Sequence, residues 1–362
     1  MTARTRADLD SLPGYVPGRT IAGAVKLASN EVSAGPLPSV IAAICDAATG
    51  VNRYPDNGAT ALVDRLAARL DVSPTHLATG CGSVTLCQQL VQATCGPDDE
   101  VLFAWRSFEA YPLITQVFGV RQRAVPLRVD HTHDLAAMLD AITPATRLVF
   151  VCNPNNPTGT AVRRDELAGF LDAVPDGVLV ALDEAYHEFV TDPAVPDGVA
   201  LHRGRDNLAV LRTFSKAYGL AGLRVGYCVA PEPVTAAVRK VFVPFSVSSL
   251  AQVAALASLD VEDELLARCR GVVAERNRVR AELLAMGYPV PESQANFVWL
   301  PLGAQTTPFT EHCLEHHIVI RPFSPDGARI TISTRSENEV FLTAAQSWPA
   351  RHGDISGLPS PR

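Results

Sequence analysis

No stretch of this chain has the length of a membrane span; its longest apolar runs, such as 178–182, are short and soon meet a charge. No membrane partner is expected. Basic clusters are missing as well. The 31 Lys and Arg residues are scattered among 38 Asp and Glu, the formal net charge is −7, and no run would track a phosphate backbone. Nucleic acid is therefore not an expected partner. The opening M-T-A-R-T-R-A-D-L-D has no apolar core behind its two arginines, so it does not read as a secretory signal, and the expected location is the cytoplasm. Eight cysteines, at 45, 81, 87, 95, 152, 228, 269 and 313, include no C-x-x-C pair and no zinc-like doublet. They read as small buried residues in a reducing compartment. His312 and His316 come nearest to a metal pair, but no third ligand of suitable spacing follows, so no metal is expected.

What is present is an ordinary globular composition, 47% hydrophobic and 19% charged, in 362 residues, enough for two domains or one large α/β domain with an appendage. From about residue 60 helical and strand patterns alternate, the signature of a sheet with crossover connections. Leu62, Leu66 and Leu70 form one helical stripe, and Leu167, Phe170, Leu171 and Val174 another. The apolar runs 101–104, 148–151, 178–182 and 208–211 are too short for helices and read as buried strands. The last three end in polar segments, 153–159, 183–186 and 213–216. Open parallel sheets bind ligands outside the carboxyl ends of their strands, so these segments are expected to converge on one site. After residue 245 a long helical region runs to Met286 and is followed by strand candidates at 297–300, 318–320 and 329–333, resembling a smaller α+β domain. The expected division is an N-terminal arm at 1–40, a large domain at 41–245, a small domain at 246–350 and a frayed tail at 351–362.

Four motifs carry chemistry. In T-F-S-K-A-Y-G-L-A-G-L-R-V-G-Y, Lys216 follows a strand among small residues; a buried lysine loses its ammonium form by desolvation and becomes a usable nucleophile. Ser215 and Arg224 of the same motif suit a phosphate dianion. Asp183 ends the apolar run V-L-V-A-L-D, where an acid is costly unless paired, and a pyridinium nitrogen is a suitable partner; a plain helix cap is the bland alternative. Tyr186 lies three residues on. In N-P-N-N-P-T-G, Asn156 either forms a turn or offers its amide to a ligand oxygen. A-T-G-C-G-S places small residues before a helix start, a geometry that presents N–H groups to an anion.

Taken together and in order, these motifs and the late I-R-P-F…A-R-I-T-I resemble the fold-type-I, pyridoxal-phosphate-dependent aminotransferases of the histidinol-phosphate aminotransferase family, and are especially similar to its actinobacterial aromatic (phenylalanine) members. The resemblance implies an α/β fold with a mostly parallel seven-stranded sheet and a smaller α+β C-terminal domain. It makes Lys216 the Schiff-base lysine and proton shuttle, with Asp183 on the pyridine nitrogen, Asn156 and Tyr186 on the ring hydroxyl and Phe108 stacked on the ring. Cys81, Gly82, Ser83, Ser215 and Arg224 match the phosphate cradle. Tyr54 matches a tyrosine donated by the neighbouring subunit, which implies a homodimer with shared sites. Arg329 and Arg321 match arginines that hold the substrate's acidic group, and Tyr15 an aromatic on the arm over the pocket. The implied reactants are an aromatic amino acid and 2-oxoglutarate, with histidinol phosphate as the alternative donor. Relatives often carry a tyrosine where this chain has Ala34, which is expected to leave room for an aromatic ring. They also often carry an acid in place of Gly82, a departure the sequence does not explain.

Overall fold

A computed structural model describes residues 5–6, 9–10 and 21–352. Tyr15 and residues 353–362 of the expected tail lie outside the described residues. The first strand, β1 (Val25–Leu27), joins a small sheet built otherwise from the last part of the chain. The next seven form the large sheet: β2 (Leu77–Gly80), β3 (Glu100–Trp105), β4 (Arg121–Pro126), β5 (Thr146–Cys152), β6 (Leu179–Asp183), β7 (Leu208–Thr213) and β8 (Gly226–Val229). Their order is β2-β8-β7-β6-β5-β3-β4. Only β8 runs against its neighbours; the ladders joining β3 to β7 and β4 are parallel.

The four apolar runs read as strands fall within β3, β5, β6 and β7, apart from Val178, which precedes β6. Alternation explains why they look continuous. Leu148, Phe150, Leu179 and Ala181 pack towards α3 (Ser83–Thr94) and α4 (Ala110–Val117), whereas Val149, Val151, Val180 and Leu182 pack towards α2 (Thr60–Leu70) and α6 (Arg164–Ala173). Each such Val, Leu or Phe side chain contributes about 1.5–3 kcal/mol by leaving water, so both faces favour apolar residues and a carboxylate at the end of such a strand needs its own compensation.

The helical region after residue 245 is broken into α9 (Ser249–Asp260) and α10 (Glu262–Ala285), because Val261 leaves helical geometry at φ −119°. Ala251, Ala254 and Ala255 of α9 join the large-sheet core, and the smaller unit gathers around the C-terminal half of α10, where Val279 and Leu283 are buried.

The small sheet, in the order β1-β10-β11-β9, comprises β9 (Phe297–Leu300), β10 (Ile318–Phe323), β11 (Gly327–Thr331) and β1, which pairs parallel to β10. The arm segment is thus tied to the small unit through β1. Leu300, Ile318, Ile320, Ala328 and Ile330 pack into a core with α11 (Thr306–Glu315) and α12 (Arg335–His352). Period-two alternation then sends Arg321 and Arg329 to the opposite face, towards the large sheet. His312 and His316 lie in and just after α11; His312 Nε2 is bonded to the Ala344 carbonyl and Ser347 Oγ, as helix packing requires. Among the described residues no group of three or more His, Cys, Asp or Glu is placed to hold a metal.

Candidate active site

The carboxyl ends of β5, β6 and β7 lie side by side, so the segments that follow them open into one cavity of about 240 Å³. Asn156, Asp183, Tyr186, Ser215, Lys216 and Arg224 line it from the large unit, with Ser83 and Phe108. Arg321 and Arg329 close it from the small sheet, and Ala28–Glu31, the segment that follows β1, from the arm. The expected convergence is therefore observed.

Asp183 lies on the α3–α4 face by the alternation of β6, and this places it against Tyr111 of α4, whose hydroxyl donates to Oδ2 at 2.9 Å. Its other oxygen, Oδ1, is buried with no hydrogen-bond partner among the described residues. Burial raises the carboxyl pKa to about 6, against the lowering effects of the Tyr111 hydroxyl and the Ala185 backbone N–H. An acceptor in that state requires a proton-bearing partner, and a protonated pyridine nitrogen supplies one.

Lys216 Nζ donates to the Ser29 carbonyl at 3.2 Å. Burial first, then the Arg329 guanidinium, brings its pKa down to about 7. The amine is thus substantially neutral near neutral pH. Tyr186 accepts a bond from Asn30 Nδ2 at 2.9 Å, so its own proton points elsewhere, and burial pushes its pKa up. Asn30 is itself fixed. It sits at φ 54°, its N–H donates to Thr331 Oγ1, and its carbonyl accepts from Asn296 Nδ2.

The asparagines of N-P-N-N-P divide their tasks. Asn153 exchanges bonds with the Val162 backbone, and Asn155 accepts from Ser107 Oγ and donates to Thr158 Oγ1, which pins the loop. Only Asn156 lines the cavity, its Oδ1 accepting from Arg329 Nη1 at 2.5 Å. Arg329 also donates to the Ala28 carbonyl at 2.6 Å.

At the anion end, Arg224 donates to Ser215 Oγ at 3.2 Å, and Ser83 opens helix α3. Cys81 and Gly82 form the turn before that helix and do not line the cavity wall. Gly82 has φ 78°, and a Cβ there would lie 2.3 Å from Arg224 Nη2. That contact explains the glycine: any side chain would push the guanidinium aside. Together the two serine hydroxyls, the helix start and Arg224 fit a phosphate, and the unpartnered Asp183 oxygen fits a pyridinium, so the residues present suit pyridoxal phosphate.

Tyr54, read as donated to a neighbouring subunit, is 83% exposed on the surface and stacks on Phe245 at 4.7 Å. Ala34 lines a neighbouring pocket with Tyr218, Gly219 and Arg268 rather than this cavity. Tyr111, Asn30 and Glu109 were not read as site residues. Tyr111 had a signal, since it ends the W-R-S-F-E-A-Y segment that contains Phe108.

The family model described as aminotransferase class I and II matches residues 22–344. The chain belongs to that family. As an aminotransferase it is 61% identical over 351 residues to an aromatic amino acid aminotransferase of Rhodococcus jostii, covering 97% of this chain and 98% of the relative. It is 57% identical over 350 residues to one of Mycobacterium tuberculosis, covering 96% and 99%. Among solved structures, the histidinol-phosphate aminotransferase of Sinorhizobium meliloti in complex with pyridoxal 5′-phosphate is similar at a TM-score of 0.88 and 29% identity, covering 96% of this chain and 98% of that one. The mostly parallel seven-stranded sheet of this aminotransferase is that of fold type I.

Proposed function

We propose that this aminotransferase carries pyridoxal phosphate on Lys216 and moves the amino group of phenylalanine, tyrosine or tryptophan to 2-oxoglutarate, giving the aromatic 2-oxo acid and L-glutamate. The observation that carries the reading is one cavity holding a buried lysine of lowered pKa and a buried carboxylate oxygen with no partner. The aromatic assignment is supported by relatives of that name at 57–61% identity over nearly the whole chain.

Pyridoxal phosphate, when bound, supplies an electron sink for a substrate carbanion. The protein supplies the rest. Asp183 would keep a proton on the ring nitrogen, and Tyr111 orients the carboxylate for it. Tyr186, which accepts from Asn30 and so keeps its O–H available, and Asn156 would donate to the ring's oxygen, and Phe108, set edge-to-face against Tyr111, would pack against the ring. Ser83, Ser215 and Arg224, with the turn at Cys81 and Gly82, hold the phosphate. Arg329 binds the substrate carboxylate. Lys216 Nζ would hold the cofactor and, as a buried amine of lowered pKa, is placed to take and return the proton of the substrate's α-carbon.

The working form is a homodimer in which Tyr54 reaches the partner's site. The exposed Val51, Tyr54, Val243 and Phe245 support this as a surface that a second copy covers. Free cysteines throughout the described residues support a reducing, cytoplasmic setting.

Steady-state assays with 2-oxoglutarate test the donor. The proposal expects L-phenylalanine to be used with a kcat/KM at least about tenfold above that of histidinol phosphate, a difference of about 1.4 kcal/mol in transition-state binding. A preference for histidinol phosphate would move the enzyme to histidine biosynthesis.

A further inference from the structure

Arg321 and Arg329 are direct partners in the antiparallel β10–β11 ladder, and their guanidiniums lie 5.8 and 5.5 Å from the centroid of the Phe323 ring. Like charges placed across a ladder repel unless something compensates them. Among the described residues the two arginines meet different partners. Arg329, buried, gives hydrogen bonds to two neutral oxygens, Asn156 Oδ1 and the Ala28 carbonyl. Arg321 donates to the carboxylate of Glu109 at 2.8 Å, an acid from the large unit that also lines the cavity.

This asymmetry bears on substrate choice. An aminotransferase that accepts both an aromatic amino acid and 2-oxoglutarate must tolerate, in one place, an apolar ring and a second carboxylate. A bare arginine at that place would favour the dicarboxylate strongly. We propose that Glu109 is a specificity-determining residue: by pairing with Arg321 it offsets the guanidinium's charge at the outer end of the cavity, leaving that end open to an aromatic ring, and obliges a dicarboxylate to displace it. The inference rests on the reading that Arg329 takes the substrate's α-carboxylate, which leaves Arg321 for the side-chain end.

Glu109 is placed to yield. Its side chain is 32% exposed, against 14% for Arg321, so it can turn to water when a ligand carboxylate takes its place. A separate bond from Arg106 Nε to Asp326, at 2.7 Å, still joins the same two segments when the Glu109 pair opens. Replacing Glu109 therefore changes the charge at the cavity mouth without removing every tie across it.

The test is calorimetric titration of the cofactor-loaded enzyme with two ligands that have no amino group and cannot turn over, glutarate and 3-phenylpropionate. Glu109→Gln is expected to tighten glutarate relative to 3-phenylpropionate by about tenfold, the gain from removing a carboxylate that competes for Arg321. Glu109→Gln combined with Arg321→Gln is expected to lose that gain. Should Glu109→Gln fail to load cofactor, Glu109→Asp, whose shorter side chain retreats from Arg321, is expected to shift the ratio in the same direction by a smaller factor. An unchanged ratio, or a gain that survives removal of Arg321, overturns the role of Glu109. If wild-type enzyme binds neither ligand, the assignment of Arg329 fails first, and the inference falls with it.

Discussion

The Tyr111 hydroxyl donates to Asp183 Oδ2 at 2.9 Å while Asp183 Oδ1 stays buried and, among the described residues, without a side-chain partner. One oxygen is held by the protein and the other is presented to the cavity. The carboxylate at the end of β6 is thereby aimed, and its orientation follows from the alternation that puts Asp183 on the same face as helix α4.

Tyr111→Phe removes the only side-chain donor shown for that carboxylate. A hydrogen bond to a charged group contributes about 1.5–3 kcal/mol, so affinity for pyridoxal phosphate is expected to fall by roughly 10- to 100-fold. Equilibrium dialysis of the apoenzyme against the cofactor measures it. Asp183→Ala should lose more than Tyr111→Phe; equal losses would contradict an orienting role for the tyrosine.

In the apoenzyme, Lys216 is expected to react with pyridoxal phosphate at a rate that rises with pH and levels off above about 7, whereas an exposed lysine keeps gaining until far higher pH. The stability sign follows from the same shift. Between about 7 and the ordinary lysine range, the unfolded chain holds a proton that the folded chain does not, so apoenzyme stability rises with pH there; below about 7 the full cost of burying the ammonium is present. Lys216→Met should remove this slope in pH-dependent thermal melts.

Gly82→Ala places a methyl group where Arg224 Nη2 lies, at a φ of 78° that alanine disfavours. The guanidinium is the flexible partner and gives way, so the expected loss is in phosphate grip rather than in fold. Cofactor affinity should fall by about tenfold or more. Circular dichroism should show secondary structure intact, and a drop in cofactor affinity no larger than twofold would argue that Arg224 does not need its present position.

Much of this was legible in the sequence because the large sheet is buried on both faces: runs such as 148–151 and 208–211 have no other physical reading. Asp183 stood out because an acid ending such a run must be compensated. What stayed hidden depends on distance in sequence or on weak patterns. Strand β4, R-Q-R-A-V-P, is an edge strand with mostly exposed residues, so it has no apolar alternation to read. The break at Val261 interrupts a helical pattern that is continuous in composition. Asn30 and Glu109 act through Tyr186 and Arg321, 156 and 212 residues away, and no local motif marks such pairs.

The central claim, that Lys216 holds the cofactor, is tested most directly by reducing the loaded enzyme with borohydride and mapping the modified peptide by mass spectrometry. The account predicts the cofactor fixed to Lys216, and a strong loss of that label when L-phenylalanine is added before the reductant. A label on another lysine, or on none, would contradict it.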